Sequence, residues 1–146
     1  MSVRKTPAPG PCPCLSGDSY DACCGRFHAG EGLPPTAEAL MRSRYSAFAV
    51  LDEEYLLATW HPDTRPADLE LDEDLRWLRL DITATAAGGP FDTEGTVAFR
   101  AHYRAPADDD DGGAAPSSSR AVRGVQEEVS RFVREGGRWY YVDAVE

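Results

Sequence analysis

The chain has 146 residues, 42% of them hydrophobic and 27% charged, the proportions of a globular domain rather than of a disordered or fibrous chain. Lys plus Arg number 15 against 25 for Asp plus Glu, a formal charge of −10 that argues against broad binding to nucleic acid or anionic membrane, where phosphates demand a cationic field. No apolar run approaches the roughly 20 residues that a membrane span needs. Arg4 and Lys5 are followed by no apolar stretch, so the N-terminus does not read as a secretory signal. The expectation is a cytoplasmic protein with reduced thiols, built as one domain with a small appendage. The charge is uneven: Asp68 to Asp74 and Asp108 to Asp111 carry nine of the acidic residues, and both read as solvated loops.

All four cysteines fall within PCPCLSGDSYDACCGRFH, residues 11–28, at the spacing C-x-C-x8-C-C. Four thiolates close a tetrahedral zinc site, and a cluster this compact cannot bury enough apolar surface to fold alone, so a metal would supply its folding energy. Pro11 and Pro13 stiffen the first pair, Ser16-Gly17 offers a turn, and Asp18 or Ser19 can cap a short helical turn that carries the second pair. His28 follows Cys24 by four residues and shares its face if the stretch is helical, so a three-cysteine, one-histidine site stands beside the favoured all-cysteine one. Disulfides would require an oxidising compartment, and a redox pair would more usually read C-x-x-C after a strand. A closed four-ligand site leaves no open coordination position, so the metal is structural or part of a docking surface.

Residues 29–35, AGEGLPP, form a Gly/Pro hinge. TAEALMRSRYSAFAVL then predicts a helix with Thr36 as N-cap, Glu38 in the first turn, and Ala37, Leu40, Met41, Tyr45 and Phe48 on one buried face. Asp52 is placed to cap a second, short helix over EEYLLATW, which HPDTRP ends because Pro62 and Pro66 cannot continue it. Strand character begins at Trp77, where alternation sets Leu78, Leu80 and Ile82 against Trp77, Arg79 and Asp81. TVAFRAHYR sets Val97, Phe99, Ala101 and Tyr103 against Ala98, Arg100 and His102. APADDDDGGAAPSSS is low-complexity and predicts a flexible loop over about 105–120. VQEEVSRFVRE and RWYYVDAV form a hairpin closed by Gly136-Gly137. Two helices followed by three or four antiparallel strands, without βαβ alternation, make the fold class α+β.

CPCLSGDSYDACCG resembles the SEC-C motif, the zinc-binding segment at the C-terminus of the SecA translocase and in other bacterial proteins. Together with PTAEALMRSRYSAF, TWHPDTRP and SRFVREGGRWYYVD, in that order from about residue 11 to 143, it resembles the YchJ-like family of small SEC-C proteins. The resemblance implies a SEC-C module over residues 1–30 and a cone-shaped, nuclear-transport-factor-2-like domain over 31–146, with Cys12, Cys14, Cys23 and Cys24 as zinc ligands. In SecA the last ligand is commonly His, and the motif is associated with the SecB chaperone and with ribosomes, which implies a protein partner docking through the zinc module. Here Arg4, Lys5 and Arg26 stand beside Asp18 and Asp21, so the module is not clearly basic.

A curved sheet crossed by helices encloses a cavity, and cavities combine apolar walls with a few convergent polar groups. The candidate contacts for a small ligand or peptide are Arg44, Tyr45, Trp60, His61, Arg65 and Tyr141, with His102 and Arg131 nearby in type. His61 could act as a general base oriented by Asp63 or Asp143, but capping a helix end is the blander role for a histidine after Trp60. Arg44, Arg65 and Arg131 offer either a fork for an anion or ordinary salt bridges. His102, opposite the apolar face of its strand, is expected to be exposed. No phosphate-binding glycine loop, nucleophile elbow or H-E-x-x-H is present. The sequence therefore favours a zinc-stapled adaptor or ligand-binding protein that is not an enzyme. A small enzyme using His61, and a chaperone- or ribosome-associated factor, are the alternatives. Homodimerisation through the open face of the sheet is expected only by analogy of fold.

Overall fold

The computed structural model describes residues 11–15, 17–69, 71, 74–106 and 121–145. Of the flexible loop read above over about 105–120, residues 107–120 lie outside this set, while Ala105 and Pro106 belong to a strand. Seven elements follow in chain order: α1 (Cys24–His28), α2 (Ala37–Val50), α3 (Glu53–Ala58), β1 (Arg76–Ala87), β2 (Glu94–Pro106), β3 (Ala121–Glu135) and β4 (Arg138–Ala144). The strands form an antiparallel meander in the order β1-β2-β3-β4. The fold is thus α+β.

The helix ends obey local chemistry. Thr36 Oγ1 accepts from the Ala39 N–H at 3.0 Å, and Glu38 pairs with Arg42 one turn on at 3.0 Å. Leu51, at φ +61°, stops α2 in a left-handed conformation. Asp52 Oδ1 then accepts from the Tyr55 N–H at 3.1 Å and starts α3. After α3, residues 59–61 run beside β4: the Tyr141 N–H donates to Thr59 O and the His61 N–H to Tyr141 O, both at 2.8 Å. This pairing covers part of an otherwise open sheet edge.

Beneath α2, Leu80, Val97, Phe99, Ala101, Phe132 and Trp139 form the core with Leu40, Met41 and Tyr45. Burying side chains of this size contributes about 1.5–3 kcal/mol each. Phe48, expected on the buried face, is only half-buried and tilts against Trp77 at 6.3 Å.

β1 departs from its expected phase. Trp77 pairs with Tyr103 and Arg79 with His102, so Leu78 is the extra residue of a β-bulge. The bulge turns Leu78 outward, at 37% exposed, and sends Trp77 inward with Leu80 and Ile82. Simple alternation assigned Trp77 and Leu78 to the opposite faces, because an inserted residue reverses the period of two. In β2 no such slip occurs, and Val97, Phe99 and Ala101 are all buried. Gly136 and Gly137, both at positive φ (60° and 85°), close the β3–β4 hairpin in the twist that two-residue turns require.

The cysteine segment is more than an appendage. Cys12, Cys14 and Cys24 belong to the same buried cluster as Leu40 and Phe132. Helix α2 is consequently buried on two sides, its apolar face on the sheet and Ser43, Ser46 and Ala47 away from solvent as well. Among the described residues no helix is long and apolar enough to cross a membrane.

Candidate metal centre

A short loop brings the two cysteine pairs together. The Cys12 N–H donates to Asp18 O at 3.0 Å and the Leu15 N–H to Cys12 O at 2.9 Å. Leu15 (φ 62°) and Gly17 (φ 101°) reverse the chain so that Pro11 and Ser19 bridge. The second pair sits at the start of α1, where the Cys23 and Gly25 N–H groups both donate to Tyr20 O, at 3.0 and 2.7 Å. A Cβ on Gly25 would lie 2.7 Å from that oxygen, so only glycine permits the approach.

The four Sγ atoms all lie within 4.8 Å of one another. Cys14 and Cys23 sulfurs are 3.7 Å apart, and the adjacent Cys23 and Cys24 sulfurs 4.0 Å. A tetrahedral metal with bonds of about 2.3 Å sets its sulfurs about 3.8 Å apart, whereas a disulfide requires about 2.05 Å. All four cysteines are free thiols. Cys12, Cys14 and Cys24 are each 1% exposed. The donor set therefore fits a metal bound by sulfur on all four sides, with no position left for a substrate.

The electrostatics agree. Hydrogen bonds from Cys14, then from Cys24, hold the Cys12 thiol far below its ordinary range. The Cys24 thiol is pushed far up by its hydrogen bonds with Cys12 and Cys14 and by burial. One thiolate is favoured at its neighbours' expense, because four clustered sulfurs cannot all be anionic without a cation among them. A divalent metal would supply that charge and deprotonate the rest.

Helix α2 completes the surroundings. Ser46 Oγ lies 3.5 Å from Cys12 Sγ, and Arg42 O lies 3.6 Å from Cys24 Sγ. His28, whose side chain is 4% exposed, does not join the sulfur group. Its Nε2 lies 2.9 Å from Ser43 O, and a carbonyl only accepts, so Nε2 carries the proton. Nδ1 then accepts from the Tyr20 hydroxyl at 2.6 Å. Nε2 thus fastens the module to α2, while Nδ1 ties His28 to Tyr20 within the module.

The expected cavity residues divide. Arg44, Trp60 and Tyr141 meet: the guanidinium carbon sits 4.6 Å from the Tyr141 ring centroid and 5.1 Å from that of Trp60. Arg44 Nη1 donates to Leu56 O at 2.9 Å and Thr59 Oγ1 at 2.7 Å, and burial pulls its pKa down to about 10. The Tyr141 hydroxyl, pushed up to about 12 by burial first of all, donates to Glu128 at 3.4 Å. Tyr45 lies elsewhere, its ring 5.8 Å from that of Trp77. Its hydroxyl and the Trp60 indole N–H have no hydrogen-bond partner among the described residues.

His61 Nε2 meets Glu135 at 3.0 Å, and Nδ1 accepts from the Asp63 N–H at 3.1 Å. Its nearest carboxylate is thus Glu135, a partner 74 residues away that sequence spacing could not indicate, while the expected Asp63 places Oδ2 3.8 Å from Nδ1. Arg65 is exposed and donates to Trp60 O at 3.1 Å. Arg131 makes two 3.2 Å bonds to Asp143. The three arginines do not converge. His102 is half-buried and pairs with Asp81 at 3.0 Å. Ser43, Ser46, Tyr20 and Glu135 were not singled out from the sequence. The one signal was a pair of small polar residues three apart on a helix, opposite its apolar stripe.

Two family models match the chain: the SEC-C motif over residues 11–26 and "YchJ, middle NTF2-like domain" over residues 36–144. A UPF0225 protein of Streptomyces coelicolor is 51% identical over 91% of this chain and 93% of its own length. Another, from Chromobacterium violaceum, is 46% identical over 97% of this chain and 96% of its own. The solution structure of a SEC-C motif containing protein from Rhodopseudomonas palustris superposes with a TM-score of 0.70 at 32% identity, covering 91% of this chain and 95% of that one. A crystal structure of a SEC-C motif containing protein from Psychrobacter arcticus shares the fold, with a TM-score of 0.65 at 23% identity over 91% of this chain and 79% of the other. Motif, sheet domain and chain-wide identity coincide, and the chain belongs to the UPF0225, YchJ-like family: a SEC-C cysteine cluster joined to a nuclear-transport-factor-2-like domain.

Proposed function

We propose that this is a zinc-stapled binding protein of the cytoplasm, in which the metal holds the N-terminal module against α2 and the assembled surface receives a partner. The observation that carries the reading is the set of four buried sulfurs within 4.8 Å of one another. An all-sulfur tetrahedral site suits zinc or iron, and zinc is redox-inert, as a purely structural role requires. A binding role rather than catalysis is supported at His61. With Nε2 on Glu135 and Nδ1 on a backbone N–H, neither ring nitrogen offers a lone pair to a substrate. The formal charge of −10 favours protein partners over nucleic acid.

Native mass spectrometry of protein purified without added metal tests this. One zinc per chain, together with a colourless solution, is the expected result. Metal-free chains, or a single iron with thiolate charge-transfer absorbance, would overturn it. The same spectrum reads the number of subunits and any retained small molecule.

A further inference from the structure

Where the cysteine module, α3 and the start of β4 meet, the surface folds into a cleft of about 890 Å³. Three segments far apart in sequence build it. Tyr20 and Phe27 line it from the module and Tyr55 from α3, so it has aromatic walls. These rings are held in place: the Tyr20 hydroxyl is bonded to His28, the His28 and Tyr55 ring centroids are 4.5 Å apart, and the Tyr55 hydroxyl lies 2.8 Å from Ser43 Oγ. Asp52, Glu53 and Glu54 also line the cleft, against Arg138 as its one lysine or arginine among the described residues.

Asp52 caps α3 and lies 3.9 Å from His28 Nδ1, Glu53 accepts a 3.4 Å bond from the Leu69 N–H, and Glu54 is exposed. Among the described residues none of them pairs with a lysine or arginine. Aromatic faces beside unpaired carboxylates are the complement of a guanidinium. Its flat face and aliphatic stem lie on rings, while its edge makes paired hydrogen bonds to a carboxylate.

We propose that this cleft is the docking site for an arginine-bearing, extended peptide segment of a partner protein. Its volume is near the upper end of the roughly 300–1,000 Å³ of small-molecule sites, and it is open and acidic where those are enclosed and mainly apolar. An extended chain suits that shape better than a buried metabolite. The inference rests on the zinc-stapled reading, since Tyr20 and Phe27 reach the cleft only while the module is docked on α2.

The test is fluorescence anisotropy with the metal-loaded full chain and a fluorescein-labelled decapeptide carrying two arginines among glycines and alanines. Binding is expected for this peptide and at least ten-fold weaker binding for its Arg→Gln counterpart. Glu53→Lys with Glu54→Lys should weaken binding ten-fold or more. Glu94→Lys with Glu127→Lys makes the same charge change at residues that do not line the cleft, and should leave binding within two-fold. No binding by the arginine peptide, or equal losses in both double variants, would overturn the proposal. Displacement by agmatine at the peptide's own concentration would assign the site to a small amine and overturn the peptide. Metal content measured on the same samples separates the two readings. Zinc present without binding defeats the cleft alone, and absence of zinc defeats the staple.

Discussion

Residues 11–28 and the helix-and-sheet domain reach burial by different routes. The domain hides Leu40, Val97, Phe99 and Phe132 behind four hydrogen-bonded strands, and its stability scales with apolar area removed from water. The module hides mainly sulfur: Cys12, Cys14 and Cys24 are its buried residues, and α1 is five residues long. So short a helix is unstable alone, and its sulfurs repel one another when ionised. One region is held by solvent exclusion and the other, on the proposed reading, by coordination, yet they share one core cluster and one helix. The lesson is that α2 serves both, with an apolar face for the sheet and a small polar face for the module.

The hardest way to break the comparison is at the metal. Structural zinc supplies roughly 10–16 kcal/mol of apparent binding free energy in small modules. Cys24→Ser should therefore abolish stoichiometric metal and remove hydrogen-exchange protection over residues 11–28. The β-strand amides should stay protected, and unchanged metal content in this variant would refute coordination by this cluster.

Next in size is the domain's own core. Phe132→Ala removes a fully buried ring and should cost about 3–5 kcal/mol, seen as a lower Tm with metal still bound to the folded fraction. Loss of metal before the sheet unfolds would show instead that the two regions are not separable in this way.

The junction should respond more mildly. Ser46→Ala deletes the hydroxyl beside Cys12 Sγ, and partners behind metal ligands typically matter by about ten-fold or more in affinity. Chelator competition should reveal that loss with little change in the melting of the sheet. A normal chelation rate would reduce Ser46 to packing.

Smallest is Asp81→Asn on the outer sheet, where Arg79, and then His102, hold the carboxyl below its ordinary 3.8. A lowered carboxylate pKa stabilises the fold above the unfolded value and is lost as pH falls through the folded one. The variant should thus melt slightly lower at pH 7 and converge with the wild type below about pH 4. A constant difference across that range would point to shape rather than charge.

Much of this architecture was readable in advance because its determinants are local. Thr36 and Asp52 cap their helices through residues three positions on, and Gly136-Gly137 turn the hairpin on their own. The clustering of the four cysteines is legible from their spacing alone, and it fits a metal-binding site. The β1 strand was misread at its start, where Trp77 and Leu78 exchange faces. Nothing in WLRL signals the bulge at Leu78, which depends on how β2 pairs alongside. The site was half legible: the sulfurs were named, but the roles of Ser43 and Ser46 required knowing which face of α2 meets the module.

By itself the sequence determined the α+β order of elements, the caps of α2 and α3, the hairpin turn and the clustering of the four cysteines, all set by residues close to one another along the chain. Only the tertiary structure decided the engagement of His28 with Tyr20 and Ser43, and of His61 with Glu135. It alone decided the burial of α2 on two sides and the cleft between Tyr20, Phe27 and the α3 carboxylates. Those pairings join positions separated by up to 74 residues, and a chain can specify them only by folding, when packing fixes which side chains face one another.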